Sequence, residues 1–180
     1  IHAADIVLMR GDLSGAAPRV LRGGIGVQDT MPEPPAGVAA NVNLQTLRAD
    51  AWEAAVERLL GGPATTEGSG AGGYGPGSIA LRVAQLEFGA RQVRRLVAGL
   101  TQDDGTWRAN IDSEQASGYL EYRPARRGTA GRVYARLARL SLPKSDAEQV
   151  QTLLDQQPGT VPALDIVVDD FELRGKRLGR

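Results

Sequence analysis

Leu81-Arg82-Val83-Ala84-Gln85-Leu86-Glu87-Phe88 is the stretch on which the fold turns. Its apolar side chains follow the spacing h-x-h-x-x-h-x-h. The same spacing returns in Val42, Leu44, Leu47 and Ala49, in Ala135, Leu137, Leu140 and Leu142, and in Ile166, Val168, Phe171 and Leu173. A strand sends alternate side chains to opposite faces, so one extra residue puts the second apolar pair on the wrong side unless a bulge or sharp twist corrects it. Four copies of one interruption point to a regular bend. The expected fold is mainly β with two short helices, a curved and mostly antiparallel sheet of repeated hairpins with one continuous apolar face.

Upstream, residues 3–27 break into apolar clusters between Gly/Pro turns and suggest two short strands. Val38, Ala40, Val42 and Leu44 then alternate with Ala39, Asn41, Asn43 and Gln45, as in a strand with one wet side. Asp50 and Glu53 form a capping box ahead of Trp52, Ala55, Val56, Leu59 and Leu60, which predicts a short amphipathic helix ending at Gly61-Gly62-Pro63. Residues 62–78, GPATTEGSGAGGYGPGS, read as a flexible Gly-rich linker between a first unit, 1–61, and a second, 79–180. The tract lacks the Lys-Ser/Thr ending of a phosphate-binding P-loop.

Downstream, strands are expected at Ile79–Phe88, Val93–Thr101, Trp107–Ile111, Gly118–Tyr122 and Arg132–Leu142, with a hairpin signal at Asp103-Asp104-Gly105. Val93, Leu96, Val97 and Leu100 also fit a helical stripe, but two turn signals flank them and favour a strand. Ser145 and Glu148 repeat the capping box before a second short helix near 146–157. Ile166, Val168, Phe171, Leu173 and Leu178 match Leu81, Val83, Leu86, Phe88 and Val93 interval for interval. That is the mark of an internal repeat whose units share one elongated core. The chain opens on Ile1 and stops within this pattern, so it reads as a piece of something longer.

Composition removes several classes of function. The 180 residues carry 21 basic and 21 acidic side chains, so no overall field draws the molecule to nucleic acid. Without cysteine there are no disulfides or thiolate metal sites, and His2 alone cannot complete a Ser–His–Asp set. Arg123, Arg126, Arg127, Arg132, Arg136 and Arg139 form a basic run. Arg132, Tyr134 and Arg136 point away from the apolar side, as a solvated face would. Asp165 and Asp169 are expected to share one face of a strand and Asp170 the other, without the loop spacing of a calcium site. No catalytic residue, metal or cofactor follows from these patterns.

Four strings carry a family resemblance: Gly105–Ser113, GTWRANIDS; Ser117–Leu120, SGYL; Val133–Pro143, VYARLARLSLP; and Val161–Arg180, VPALDIVVDDFELRGKRLGR. In this order they resemble the YhdP family of AsmA-like proteins over roughly residues 78–180, and the strand before Asp50-Ala51-Trp52 is similar more weakly. The resemblance implies a periplasmic portion of a Gram-negative envelope protein, held in the inner membrane by an anchor outside these residues. It further implies a taco-like groove lined with apolar side chains, phospholipid transport between inner and outer membranes, and a part in outer-membrane barrier function. No catalytic motif comes with it.

Val42, Leu44, Leu81, Val83, Trp107, Ile111, Val133, Leu137, Ile166 and Val168 are the candidates for lining such a groove, with phospholipid acyl chains as the expected ligand. The competing reading is a non-catalytic β-rich structural or interaction module that docks a partner at an open strand edge.

Overall fold

The computed structural model describes residues 6–12, 19–49, 75–89, 91–125, 130–142, 163–173 and 176–177. These form one open sheet whose spatial order follows the chain: β1 (Ile6–Asp12), β2 (Arg19–Val27), β3 (Gly37–Arg48), β4 (Ser78–Phe88), β5 (Arg91–Asp103), β6 (Thr106–Asp112), β7 (Ala116–Arg123), β8 (Arg132–Leu142), β9 (Ala163–Leu173) and β10 (Lys176–Arg177). The two strands expected within residues 3–27 are β1 and β2, and the segment with two readings is the strand β5. Both predicted helices, and residues 62–74 of the Gly-rich tract, lie outside the described residues.

Repeated hairpins are only part of the pairing. β2–β3, β3–β4 and β8–β9 run parallel, and the other neighbours run antiparallel. Parallel neighbours require the chain to return to the same end of the sheet, which a tight turn cannot do. The three parallel pairs are those joined by the long connections 28–36, 49–77 and 143–162.

The interruption in the apolar spacing has a direct structural counterpart. Between β3 and β4 the ladder omits Gln45 opposite Ala84 and resumes in the same register, between β4 and β5 it omits Ala84 opposite Arg95, and between β8 and β9 it omits Ala138 opposite Asp169. In all four copies the unpaired residue is the first of the two positions between the apolar halves. Such an extra residue kinks a strand and restores the facing of the residues after it. Leu44 with Leu47, and Leu81 with Leu86, accordingly pack around the same buried Val83, Leu96 and Ala98. Arg95 sits in the crease with φ 52°, the left-handed region.

Among the described residues the sheet is continuous on one side of this crease and split on the other. β6 ends at Asp112, opposite Val97, while β5 runs on to Arg91 and β8 to Leu142. The turn after β6 fills the start of the gap. Glu114 donates its N–H to the Arg94 carbonyl at 3.1 Å, Arg94 donates its own to Oε1 of Gln115 at 2.9 Å, and Ser141 donates to the Gln115 carbonyl at 2.7 Å. The Ser113 side chain fastens the turn from within, accepting from the Ala116 N–H and donating to the Ala116 carbonyl.

At the other margin the 28–36 connection lies against β2. A side chain on Gly24 would meet the Pro32 carbonyl, and one on Gly26 would come 2.7 Å from the Asp29 carbonyl. Asn41 Nδ2 donates to the Thr30 carbonyl at 2.8 Å and helps hold the loop there.

Candidate apolar binding face

Directly paired residues project to the same side of a sheet, so the registers can be read as rows. One row runs Ile25, Ala40, Ile79, Leu100, Ala109, Leu120, Ala135 and Ile166, from β2 to β9 without a polar member. The next runs Val27, Val42, Leu81, Ala98, Ile111, Gly118, Leu137 and Val168, and a third joins Leu44, Val83 and Leu96. Toward the opposite strand ends comes Gln102, Trp107, Tyr122, Val133 and Leu164. All ten residues singled out from the sequence therefore project from one face.

Burial varies along that face. Val83, Ala135 and Leu137 are buried, whereas Leu164 and Ile166 on β9 stay 58% and 48% exposed. Polar groups are scarce between β3 and β9. Gln102 stands beside Trp107, and Arg91 lies beside Phe88 with its guanidinium 5.7 Å from the ring centre. The groove candidates chosen from the sequence include no residue of β5 or β7, yet Leu96, Ala98, Leu100 and Leu120 complete the rows. Val93-x-x-Leu96-x-Ala98 keeps the last three apolar positions of the interrupted spacing, with Arg91 where the first is due, and that partial signal was present in the sequence.

The opposite face is a lattice of charge. Tyr134 pairs with Glu121 and Arg136 with Tyr119, and these residues project away from the apolar rows as the alternation predicted. Arg136 lies 4.0 Å from the centre of the Tyr134 ring and 2.9 Å from Asp165, and Tyr119 meets Tyr134 edge to face. Glu121 accepts from the Tyr119 hydroxyl and pairs with Arg108 and Arg123. The hydrogen bond from Arg136 and the charges of Arg136 and Arg132 hold the Asp165 carboxyl below its ordinary range, against the opposing effect of desolvation. Desolvation and the bond to Glu121 push the Tyr119 phenol up.

One expectation about the acids fails. Asp170 is paired with Arg139 and shares the charged face with Asp165, while Asp169 occupies the crease and drops out of the ladder. Strict alternation had grouped Asp165 with Asp169, but the extra residue reverses the facing beyond it. Among the described residues no three His, Asp or Glu side chains are grouped to hold a metal ion, and no helix is long and apolar enough to cross a membrane.

An open sheet, bent along a shared crease, apolar on one side and charged on the other, defines a class of non-closed β scaffold that presents a long greasy surface. The model of the YhdP protein family matches residues 4–180, and the chain belongs to that family, whose members are AsmA-like envelope proteins. No curated protein and no solved structure matches the chain.

Proposed function

We propose that this chain is a lipid-carrying segment of a periplasmic, inner-membrane-anchored envelope protein, and that its apolar face receives phospholipid acyl chains on their way between the two membranes. The observation that carries this reading is the pair of rows crossing β2–β9 with no charged member. At about 0.8 kcal/mol per methylene, a sixteen-carbon tail in water costs on the order of 12 kcal/mol, and an apolar surface offsets much of that. The headgroup stays in water at the strand ends. Trp107 and Tyr122 lie in the row nearest one set of ends, where an amphipathic ring suits the boundary between tail and headgroup. Family membership supports the envelope setting.

The test is site-specific photocrosslinking. A benzophenone amino acid at Ile111 or Ile166 should form phospholipid adducts detectable by mass spectrometry, and the same probe at Val97 or Val167 on the charged face should form few. Equal labelling of both faces, or none on the apolar one, would sink the proposal.

A further inference from the structure

We infer that the strand-end rim of β7 and β8 seats the phosphate of the lipid whose tails lie on the apolar face, and that it selects a headgroup of net negative charge. The inference rests on the acyl-chain reading and adds the polar end of the ligand to it. The last rung of the β7–β8 ladder pairs Arg123 with Arg132. Like charges directly opposite one another on a sheet are destabilising, and an anion between them relieves the repulsion. Both guanidinium groups are held from the side of the sheet. Arg123 Nη2 lies 2.8 Å from Glu121 Oε1, and Arg132 Nη2 lies 3.5 Å from Asp165 Oδ2. The carboxylates sit deeper than the arginines they hold, with side-chain exposures of 19% and 39% against 58% and 57%. Each carboxylate is also shared, Glu121 with Arg108 at 3.7 Å and Asp165 with Arg136 at 2.9 Å. One ion pair occupies a fraction of the five N–H donors of a guanidinium, and the planar fork suits two phosphate oxygens.

The same rung lies where the two faces of the sheet meet. One residue inward, on the apolar side, Tyr122 pairs with Trp107 and with Val133, and Tyr122 is 46% exposed. An amphiphile whose tails follow the apolar rows toward this end passes the two rings and brings its headgroup to the two arginines. The neighbouring strand end has the opposite sign. Asp103, which Arg108 meets at 3.3 Å, and Asp104 stand at the turn from β5 to β6. From the middle of the β7–β8 pair to the middle of the β5–β6 pair is two strand spacings, roughly 10 Å. The two-carbon link of a zwitterionic headgroup is too short to set its phosphate at one place and its cation at the other. A phosphate with no cation attached, as in phosphatidylglycerol, therefore gains the arginine pair in full, whereas a choline headgroup brings its own positive charge against Arg123 and Arg132.

The probes are dioctanoylphosphatidylglycerol and dioctanoylphosphatidylcholine, which share their tails, titrated below their micellar concentrations into the protein carrying a benzophenone amino acid at Ile111. Adduct yield, read by mass spectrometry, gives the half-saturating concentration of each lipid. The glycerol lipid should half-saturate at about a tenfold lower concentration, the worth of one charge-assisted hydrogen bond. Arg123→Gln with Arg132→Gln should abolish that preference. Arg108 and Arg136 keep both carboxylates paired in that variant, and an unchanged far-UV circular dichroism spectrum verifies its fold. Arg82→Gln with Arg95→Gln removes the same charge elsewhere on the sheet and should leave the preference intact. Equal half-saturation by the two lipids, a preference that survives loss of Arg123 and Arg132, or one that disappears with Arg82 and Arg95 would overturn the inference while the acyl-chain reading stands. Inorganic phosphate that erases the preference at the lipid's own concentration would assign the arginines to a free ion and overturn it too. No adduct from either lipid would sink both.

Discussion

Replacing Gly118 with alanine tests whether β7 and β8 need their close approach at the bend. Gly118 has φ 141°, and a Cβ built on it would sit 2.7 Å from the Leu137 Cα and against the Arg136 carbonyl oxygen. The obstacles are backbone atoms of β8, where the register shifts and Ala138 is left over, so no side chain can rotate out of the way. Overpacking costs roughly 1–3 kcal/mol, and a non-glycine residue held at such a φ roughly 1–3 kcal/mol more. The combined expectation is a loss of about 3 kcal/mol, and at about 2–4 °C per kcal/mol for a chain of this size the melting temperature should fall by roughly 6–12 °C. Gly99→Ala is the matched control, because Gly99 lies in β5 with no positive φ, and an added Cβ there would meet nothing within 4 Å. Urea unfolding followed by tryptophan fluorescence compares the two variants. If Gly118→Ala costs no more than Gly99→Ala, the close contact at the bend does not govern stability.

Leu137→Ala should cost about 2–5 kcal/mol, whereas Ile166→Ala, at a side chain 48% exposed, should cost under half as much in the same titration. Deleting Ala138 removes the residue that resets the alternation, so Leu140 and Leu142 should turn to the charged face; increased binding of a hydrophobic dye and a broadened unfolding transition would register it. Gly24→Ala drives a Cβ into the Pro32 carbonyl and should lift the 28–36 loop, read as faster amide exchange there while β4–β9 stay protected. Asp165 has its folded pKa below the unfolded value. Its stabilising contribution is therefore present above the unfolded pKa and lost as pH falls through the folded one. Arg136→Gln should flatten the acid limb of the stability–pH curve and raise the Asp165 carboxyl titration seen by NMR.

The bend was legible in the sequence because it recurs. One interrupted spacing at Val42–Ala49 would be noise, while four announced a regular bend with one apolar side; the structure puts the crease at Gln45, Ala84, Ala138 and Asp169. The direction of neighbouring strands was not legible in the same way. Alternation is identical in parallel and antiparallel ladders, and only the connection distinguishes them. Val93–Thr101 shows a second limit. There Arg91 stands where the first apolar residue of the spacing is due and Val97 offers a helical stripe, and together they mask Leu96 and Ala98 at the centre of the core. The facing of Asp170 was misjudged because the rule that explained Phe171 was not carried to its neighbour.

Because β6 stops short of the crease and β7 reaches only two pairs beyond it, at Ala116 and Ser117, the described sheet resembles a palm with two fingers. One finger is the far half of β3–β5 and the other the far half of β8 and β9. Beyond the crease β5 runs six residues further, roughly 20 Å at strand spacing, and among the described residues the Ser113–Gln115 turn bridges toward β8. Among the described residues the two fingers share no ladder pair, so a rotation of one against the other would strain the three hydrogen bonds of that turn and no strand pairing between them.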